Sequence, residues 1–264
     1  RQGFGAKAVA EQTGFHAFFT SRIATLVALE AELAGGKLAP ELLARAKQAG
    51  FGDAHIAYAC GLTEAEVHEA RRLAGIRSSY LMVDTCAGEF AARTPYFYST
   101  CGDAGEEIER GRSVLILGSG PIRIGQGIEF DYSTVHGVQA VRDAGLEAVV
   151  VNNNPETVST DFDASDRLYF EPLDAEAVCD ILDVEKPEGV ILQLGGQTAV
   201  NRADAVAEHI ASRGLETRIL GTPVTSMADA EDRQKCGALM RNGSSSTSDA
   251  ADGLPGVTIY VARS

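Results

Sequence analysis

The stretch Val114-Leu-Ile-Leu-Gly-Ser-Gly-Pro-Ile-Arg-Ile-Gly-Gln-Gly127 decides the fold. Its first four residues form a short apolar run typical of a buried parallel strand, and a glycine-rich loop follows before the pattern becomes helical. In an open α/β sheet, ligands bind beyond the carboxyl ends of the strands, where glycine lets backbone N–H groups approach them. A helix N-terminus beside such a loop favours an anion. The pattern therefore predicts a phosphate or carboxylate site after this strand.

Two common nucleotide-binding motifs are absent from this loop. The dinucleotide fingerprint G-x-G-x-x-G fits Gly118 and Gly120, but Arg123 stands where the third glycine belongs. The P-loop pattern fits Gly120 and Gly125, but Gln126 and the glycine after it replace the lysine and hydroxyl that hold phosphate and Mg²⁺. The loop therefore belongs to neither nucleotide-binding class.

Strands and helices alternate after this loop. Three further apolar runs of strand type follow, at residues 148–151, 190–194 and 218–220. Helical segments separate the strands, near residues 133–144, 174–186 and 199–213. This alternation predicts an open, Rossmann-like parallel sheet with crossover helices, so that the loops after the first three strands meet at one edge.

Polar and glycine residues on these three loops form the candidate ligand site. Carboxylates reach the edge from the first two loops, and Arg123 supplies a cation. Turn formation alone would account for one such loop, but three polar loops at one edge favour a ligand site. The candidate residues are Gly118, Gly120, Arg123, Gly125, Gln126, Glu129, Asp131, Asn154, Glu156, Thr157, Gly195, Gly196, Gln197 and Thr198.

The N-terminal part reads as a run of short helices. Apolar residues recur at helical spacing from Phe15 to Leu33, and Gly35-Gly36 ends that helix. Pro40 suits the first turn of the next helix. Thr63-Glu-Ala-Glu66 is a capping box that begins another, which Gly75 closes. We expect an all-helical domain over residues 1–111, an α/β domain over 112–233 and a flexible tail over 234–264.

Composition excludes several classes of partner. The 264 residues suggest about two domains, and the formal net charge of −14 disfavours phosphate-rich nucleic acid and anionic membranes. No stretch approaches the roughly 20 apolar residues of a membrane span. The five cysteines form no CxxC pair, so we expect reduced thiols in a cytoplasmic protein and no metal site.

A DNA-binding function is the alternative from another class. Helices predicted at residues 53–60 and 63–74 are arranged like a helix-turn-helix. Residues 51–76 carry four acids against two arginines, however, and such a recognition helix would repel phosphates. A non-catalytic assembly module is a further alternative.

Several long sequence motifs resemble those of one known family. Residues 118–132 closely resemble a signature of the carbamoyl-phosphate synthase large subunit. Further motifs, at residues 154–161, 165–172, 185–187 and 195–198, follow in the same order along the chain as in that family. Together they resemble the pre-ATP-grasp domain of the second, carbamate-phosphorylating half. Segments at residues 47–53, 83–90 and 94–100 resemble the oligomerisation domain that precedes it.

The resemblance implies an activity and its cofactors. Members of the family make carbamoyl phosphate from bicarbonate, ammonia taken from glutamine and two ATP, for arginine and pyrimidine synthesis. ATP and Mg²⁺ or Mn²⁺ bind to ATP-grasp domains. Ala230-Glu-Asp-Arg233 resembles the start of one, whereas residues 234–264 do not resemble its continuation. We therefore expect a fragment that binds no cofactor and is inactive alone.

The resemblance also implies partners and a role for two glutamates. The partners are a glutamine amidotransferase small subunit and further copies of the large subunit. Glu129 and Glu156 match glutamates that line the internal route of carbamate to the second phosphorylation site. The alternative is that both carboxylates accept backbone N–H groups within their own loops.

Overall fold

The computed structural model describes residues 3–102, 105–106, 108–121 and 128–244. The chain divides into two compact units. The first comprises residues 1–81 and 99–107, and the second comprises residues 82–98 and 108–264.

Five helices make up most of the first unit. They are α1 (Ala6–Thr13), α2 (Ala17–Ala34), α3 (Pro40–Gln48), α4 (Asp53–Cys60) and α5 (Glu64–Leu73). Their core is formed by Leu29, Leu33, Leu43, Ala46, Phe51, Ile56, Ala57 and Val67. The predicted capping box is confirmed at α5, because Glu66 accepts the Thr63 N–H at 2.7 Å while the Thr63 hydroxyl accepts the Glu66 N–H.

The buried side of α2 differs from its apolar stripe. Leu29 and Leu33 are buried, but the N-terminal part of the stripe is exposed, with Phe18 53% and Phe19 59% accessible. Helical periodicity identifies an apolar face, but which face is covered depends on the neighbouring helices. Within the described residues, α2 therefore presents an uncovered apolar surface.

The helical part ends earlier than expected, because two strands lie within residues 1–111. They are β1 (Ser78–Met82) and β2 (Tyr96–Cys101). The β2 sequence is rich in aromatic residues and threonine, which favour strands. In the second unit, Tyr96 and Phe97 of β2 pair in parallel with β5, so this segment joins the sheet.

The second unit is built on a parallel sheet, as predicted. Its further strands are β3 (Ser113–Leu117), β4 (Glu147–Val151), β5 (Arg167–Tyr169), β6 (Gly189–Ile191) and β7 (Arg218–Leu220). Within this unit the strand order is β2-β5-β4-β3-β6-β7, and every neighbouring pair is parallel. All five residues of the central strand β3 are buried. The expected fold class, helices followed by an open parallel α/β sheet, is confirmed.

Helices connect these strands and extend beyond the last. They are α6 (Glu129–Asp143), α7 (Ala175–Glu185), α8 (Gln197–Val200), α9 (Ala203–Arg213), α10 (Val224–Glu231) and α11 (Arg233–Ser244). A short 3-10 helix spans Val158–Thr160. The expected tail over 234–264 is corrected in its first part, which lies in α11. Its remainder, with the candidate strand at 256–261, lies outside the described residues.

Candidate functional site

The three predicted loops meet at the carboxyl edge of the sheet. Leu117 at the end of β3 pairs with Val151 at the end of β4, and Ile116 pairs with Ile191 at the end of β6. Because all three strands run in the same direction, the loops that follow them leave the sheet on the same side. Arg123, Gly125 and Gln126 of the first loop lie outside the described residues.

A buried asparagine joins the first two loops. Asn152, the residue after β4, has no solvent exposure. Its Oδ1 accepts the backbone N–H of Gly120 at 3.1 Å and that of Asn154 at 3.2 Å. Its Nδ2 donates to the hydroxyl of Thr157 at 3.3 Å. One amide side chain therefore fixes both the Gly118–Gly120 turn and the start of the second loop.

A second contact links α6 to the same loop. Asp131, in the first turn of α6, accepts the backbone N–H of Val158 at 2.8 Å through Oδ2 and that of Ser159 at 3.1 Å through Oδ1. These donors belong to the 3-10 helix after β4. The carboxylate therefore holds the second loop against the helix that follows the first loop.

Two glycines allow the third loop to lie against its neighbours. A Cβ at Gly195 would overlap the carbonyl group of Gly118, so only a hydrogen atom fits there. Gly196 has a φ of 70°, which favours glycine, and a Cβ there would lie 3.0 Å from the Phe130 ring. The third loop can therefore pack directly on the backbone of the first loop.

The glutamates predicted to line a ligand route are both exposed at this edge. Glu129 is the first residue of α6, and Glu156 lies in the second loop. The backbone N–H of Glu156 donates to Asn154 Oδ1 at 3.1 Å, which fixes the main chain that carries this carboxylate. Thr157 is buried, and its hydroxyl donates to the carbonyl oxygen of Asn154 at 3.0 Å.

The third loop is tied to a later helix by Gln197. Its Nε2 donates to Asn201 Oδ1 at 2.7 Å and to Glu231 Oε1 at 2.5 Å, while Thr198 is half-buried beside it. Glu231 is the last residue of α10. The loop after β6 is therefore joined to the end of α10 by one side chain.

The predicted site did not include Asn152, whose side chain joins the first two loops, or Gln193, which precedes the third loop. Asn152 directly follows an apolar run, which predicts a position at the end of a strand. The pattern does not predict that its side chain makes four hydrogen bonds, the fourth of them from Nδ2 to the Ser159 hydroxyl. Gln193 lies so close to Gly221, which has a φ of 85°, that no Cβ fits between them. The Gln193 Oε1 is buried and has no hydrogen-bond partner among the described residues.

A buried charged cluster lies near the amino ends of the strands. Glu185 of α7 accepts from Arg167 Nε at 2.8 Å and from the Tyr169 hydroxyl at 2.5 Å. Arg167 also pairs with Glu147 at 2.8 Å. Burial, together with the Glu185 charge, raises the pKa of Tyr169 well above its usual value. This cluster fastens α7 to β5 and β4.

Of the two arginines of the possible recognition helix, Arg72 is exposed and pairs with Glu69, and Arg71 is buried and not available to DNA. Arg71 is 2% exposed, and its Nε donates to Asp53 Oδ2 at 2.8 Å. Lys47, also buried, contacts Asp53 Oδ1 at 3.1 Å. Burial alone would raise the pKa of Asp53, but His68 and the charges of Arg71 and Lys47 outweigh it and lower that pKa. Arg71 and Lys47 therefore stabilise the helical core.

No set of three or more metal-ligating side chains is found in the described ranges, 3–102, 105–106, 108–121 and 128–244. In the same part of the chain, no helix is long and apolar enough to cross a membrane.

The fold consists of a helical unit and an α/β unit built on a parallel sheet. Residues 110–229 match the family model described as the carbamoyl phosphate synthase preATP-grasp domain. Residues 1–75 match that of the carbamoyl-phosphate synthetase large chain, oligomerisation domain. The chain belongs to the carbamoyl phosphate synthase large chain family.

Its relatives include large chains of methanogenic archaea. The carbamoyl phosphate synthase large chain of Methanosarcina barkeri is 49% identical over 243 residues, which are 91% of this chain and 23% of the relative. That of Methanothrix thermoacetophila is 49% identical over 241 residues, or 91% of this chain and 22% of the relative. The chain thus spans less than a quarter of the length of these relatives.

A solved structure, the biotin carboxylase domain of a thermophilic 2-oxoglutarate carboxylase bound to ADP, is also similar. The aligned region covers 50% of this chain and 27% of the chain of that structure, with 17% sequence identity and a TM-score of 0.35. A TM-score of 0.35 is too low to support a fold assignment.

Proposed function

We propose that this chain is the segment of a carbamoyl-phosphate synthase large chain that joins its two halves. The whole protein would make carbamoyl phosphate from bicarbonate, ammonia and two ATP in the cytoplasm, as a ligase of arginine and pyrimidine synthesis. Family membership supports the activity, and the length covered restricts this chain to one part of it. The helical domain, whose helices lie between Ala6 and Leu73, would serve assembly, and the α/β domain over 112–233 would handle a ligand.

The ligand we assign to the carboxyl edge is carbamate in transit. The observation that carries this assignment is the hydrogen bonding between the loops. Asn152 joins the first loop to the second, which bears Glu156, and Asp131 joins the second loop to α6, which begins at Glu129. Exposed carboxylates in a water-filled passage can accept hydrogen bonds from the amino group of carbamate. Such contacts would guide an unstable anion and limit its hydrolysis. The glycines of the three loops would let backbone N–H groups line the same route.

ATP and its metal do not fit the described residues of this edge. The side chains described there are carboxylates, amides and hydroxyls, and they include neither the lysine of a P-loop nor another cation that would balance the charge of a triphosphate. The described residues also lack a metal-ligating cluster. The proposal therefore assigns ATP and Mg²⁺ or Mn²⁺ to the ATP-grasp domains of the whole protein.

Two partners belong to the proposal. Self-association is supported by the oligomerisation-domain match over residues 1–75 and by the uncovered apolar face of α2, which includes Phe18, Phe19 and Ile23. The face is apolar enough for a second copy to cover it. A glutamine amidotransferase small subunit would supply ammonia to the whole protein.

A chimera tests the proposal. The matching segment of the Methanosarcina barkeri large chain is replaced by this chain, and carbamoyl phosphate formation from bicarbonate, ammonia and ATP is measured. We expect the chimera to be active and the isolated 264-residue chain to be inactive. A chimera that folds, by circular dichroism and gel filtration, but forms no carbamoyl phosphate would contradict the proposal, as would activity of the isolated chain.

A further inference from the structure

A cavity outside the proposed carbamate edge lies between the start of α9 and one face of α10. Its volume is about 340 Å³. The α10 wall is formed by residues at helical spacing, which are Val224, Met227, Ala228 and Glu231. The opposite wall comes from residues 200–204, at the junction of α8 and α9. Both apolar and charged side chains therefore line it.

One wall of the cavity is cationic. Arg202 is half-buried, and its Nε is buried without a hydrogen-bond partner among the described residues. A buried N–H without an acceptor is costly, so this donor points to an acceptor from outside that part of the chain. Arg202 also stands at the start of α9, where no side chain caps the first N–H groups. The helix end adds positive potential to that of the guanidinium.

The other wall is anionic. Glu231 stands at the C-terminal end of α10, where the helix dipole is negative. Its carboxylate is held in place by Gln197 Nε2, which also donates to Asn201 Oδ1 at 2.7 Å. Asp204, in the first turn of α9, brings a second carboxylate to the lining. The lining therefore combines one guanidinium with two carboxylates.

We propose that this cavity binds a small molecule that carries both a carboxylate and an ammonium group, such as an α-amino acid. A simple anion would face two carboxylates, and a simple cation would leave the Arg202 N–H without an acceptor. A zwitterion places its carboxylate on Arg202 and its ammonium group by Glu231. Val224 and Met227 supply apolar surface for its side chain. The site does not depend on the proposed carbamate role.

Three matched probes test the site on the full 264-residue chain. L-Norleucine carries both charged groups, hexanoate lacks the ammonium group and pentylamine lacks the carboxylate. Binding is followed by NMR titration, which also locates the contact. We expect norleucine to bind at least about tenfold more tightly than either single-charge probe, because each charged contact is lost separately. The largest shifts are expected at Ala203 and Ala228.

Variants assign the two contacts. Arg202→Gln should reduce the affinity for norleucine about tenfold and leave the affinity for pentylamine unchanged. Glu231→Gln should reduce the affinity for norleucine and for pentylamine, but not for hexanoate. The exposed residues Arg218 and Glu208, changed to glutamine, serve as controls that remove the same charges elsewhere. Arg202→Lys keeps the charge but removes the Nε donor, so it should weaken norleucine while the chain stays folded. Three outcomes would overturn the proposal. They are equal affinity for the three probes, no binding of norleucine at about 10 mM, and norleucine binding that Arg202→Gln leaves unchanged.

Discussion

The Oδ1 atom of Asn152 accepts the backbone N–H of Gly120 at 3.1 Å, which connects the loop after β4 to the loop after β3. Gly120 adopts a φ of 66°, and the contact holds the turn in this left-handed conformation. The arrangement of the edge loops therefore depends on one buried amide.

Removal of that amide should destabilise the second unit. Asn152→Ala leaves the N–H groups of Gly120 and Asn154 without their acceptor in a buried position, so we expect a loss of about 2–3 kcal/mol in the free energy of unfolding. Urea unfolding followed by far-UV circular dichroism measures it. Asn153→Ala, at an exposed neighbour, is the control and should change stability by less than about 0.5 kcal/mol. Equal stabilities of the two variants would contradict the role given to Asn152.

The close approach of the third loop to the first makes Gly195 sensitive to any side chain. Gly195→Ala places a methyl group on the Gly118 carbonyl, a backbone neighbour that cannot rotate away. We expect a loss of about 1–3 kcal/mol, measured as a shift of the urea midpoint. Gly36→Ala, where a Cβ would meet nothing within 4 Å, should be neutral or stabilising. A neutral Gly195→Ala would show that the loops do not pack as described.

The edge was largely predictable from the sequence, but its internal contacts were not. Apolar runs identified β3, β4, β6 and β7, and parallel pairing then required the loops after β3, β4 and β6 to share an edge. β5 was missed because its charged residue Arg167 is buried only through Glu185, 18 positions later. Likewise, the apolar periodicity of α2 did not reveal which side the other helices cover. Contacts between distant residues leave no local pattern.

The buried carboxylate of Asp53 should make the helical unit sensitive to acid. Its pKa is lowered in the folded state, so its contribution is present above the unfolded value near 3.9 and is lost as the pH falls through the lower folded value. Asp53→Asn leaves Lys47 and Arg71 buried without their counter-charge, and should cost about 3–5 kcal/mol at pH 7.

Urea unfolding at pH 7 and at several values below pH 4 checks this prediction. The stability of Asp53→Asn should fall less steeply with acid than that of the parent chain. The exposed Asp143→Asn is the control, since it removes a carboxylate of α6 without a buried cation beside it. Parallel pH dependences of the parent chain and Asp53→Asn would contradict the assignment.

The Tyr169 hydroxyl should weaken the fold in alkali. Its folded pKa is raised, so its contribution is intact below the unfolded value near 10 and is lost as the pH rises above it. The loss approaches about 1.4 kcal/mol per pH unit, because the unfolded phenol ionises while the folded one stays protonated. Tyr169→Phe should remove this slope and cost about 1–2 kcal/mol at pH 7, through the lost bond to Glu185.

Unfolding measured from pH 8 to 11 separates the two effects. Tyr58→Phe, at a residue that is 87% exposed, controls for loss of a phenol and should leave stability at pH 7 unchanged. An alkaline slope retained in Tyr169→Phe would refute this account of the cluster.

Self-association through α2 should be lost when its exposed face is charged. Phe19→Glu places a carboxylate on the uncovered surface, where a second copy would have to bury it at a high cost in free energy. Sedimentation velocity measures the change, from an oligomer for the parent chain to a monomer for the variant. Leu73→Glu, at a residue of α5 that is 73% exposed against 59% for Phe19, is the control. A monomeric parent chain, or equal association of both variants, would contradict the role of this face.

If the carboxylates at the carboxyl edge guide carbamate, the coupling of ATP hydrolysis to carbamoyl phosphate formation depends on them. The ratio of ATP hydrolysed to carbamoyl phosphate formed is determined for the Methanosarcina barkeri chimera, with and without Glu156→Ala. Glu216→Ala, at an exposed residue before β7, is the control. We predict that ATP hydrolysis continues in Glu156→Ala while its ratio to product rises, because carbamate is lost before it is phosphorylated. An unchanged ratio in an active Glu156→Ala chimera would contradict the claim.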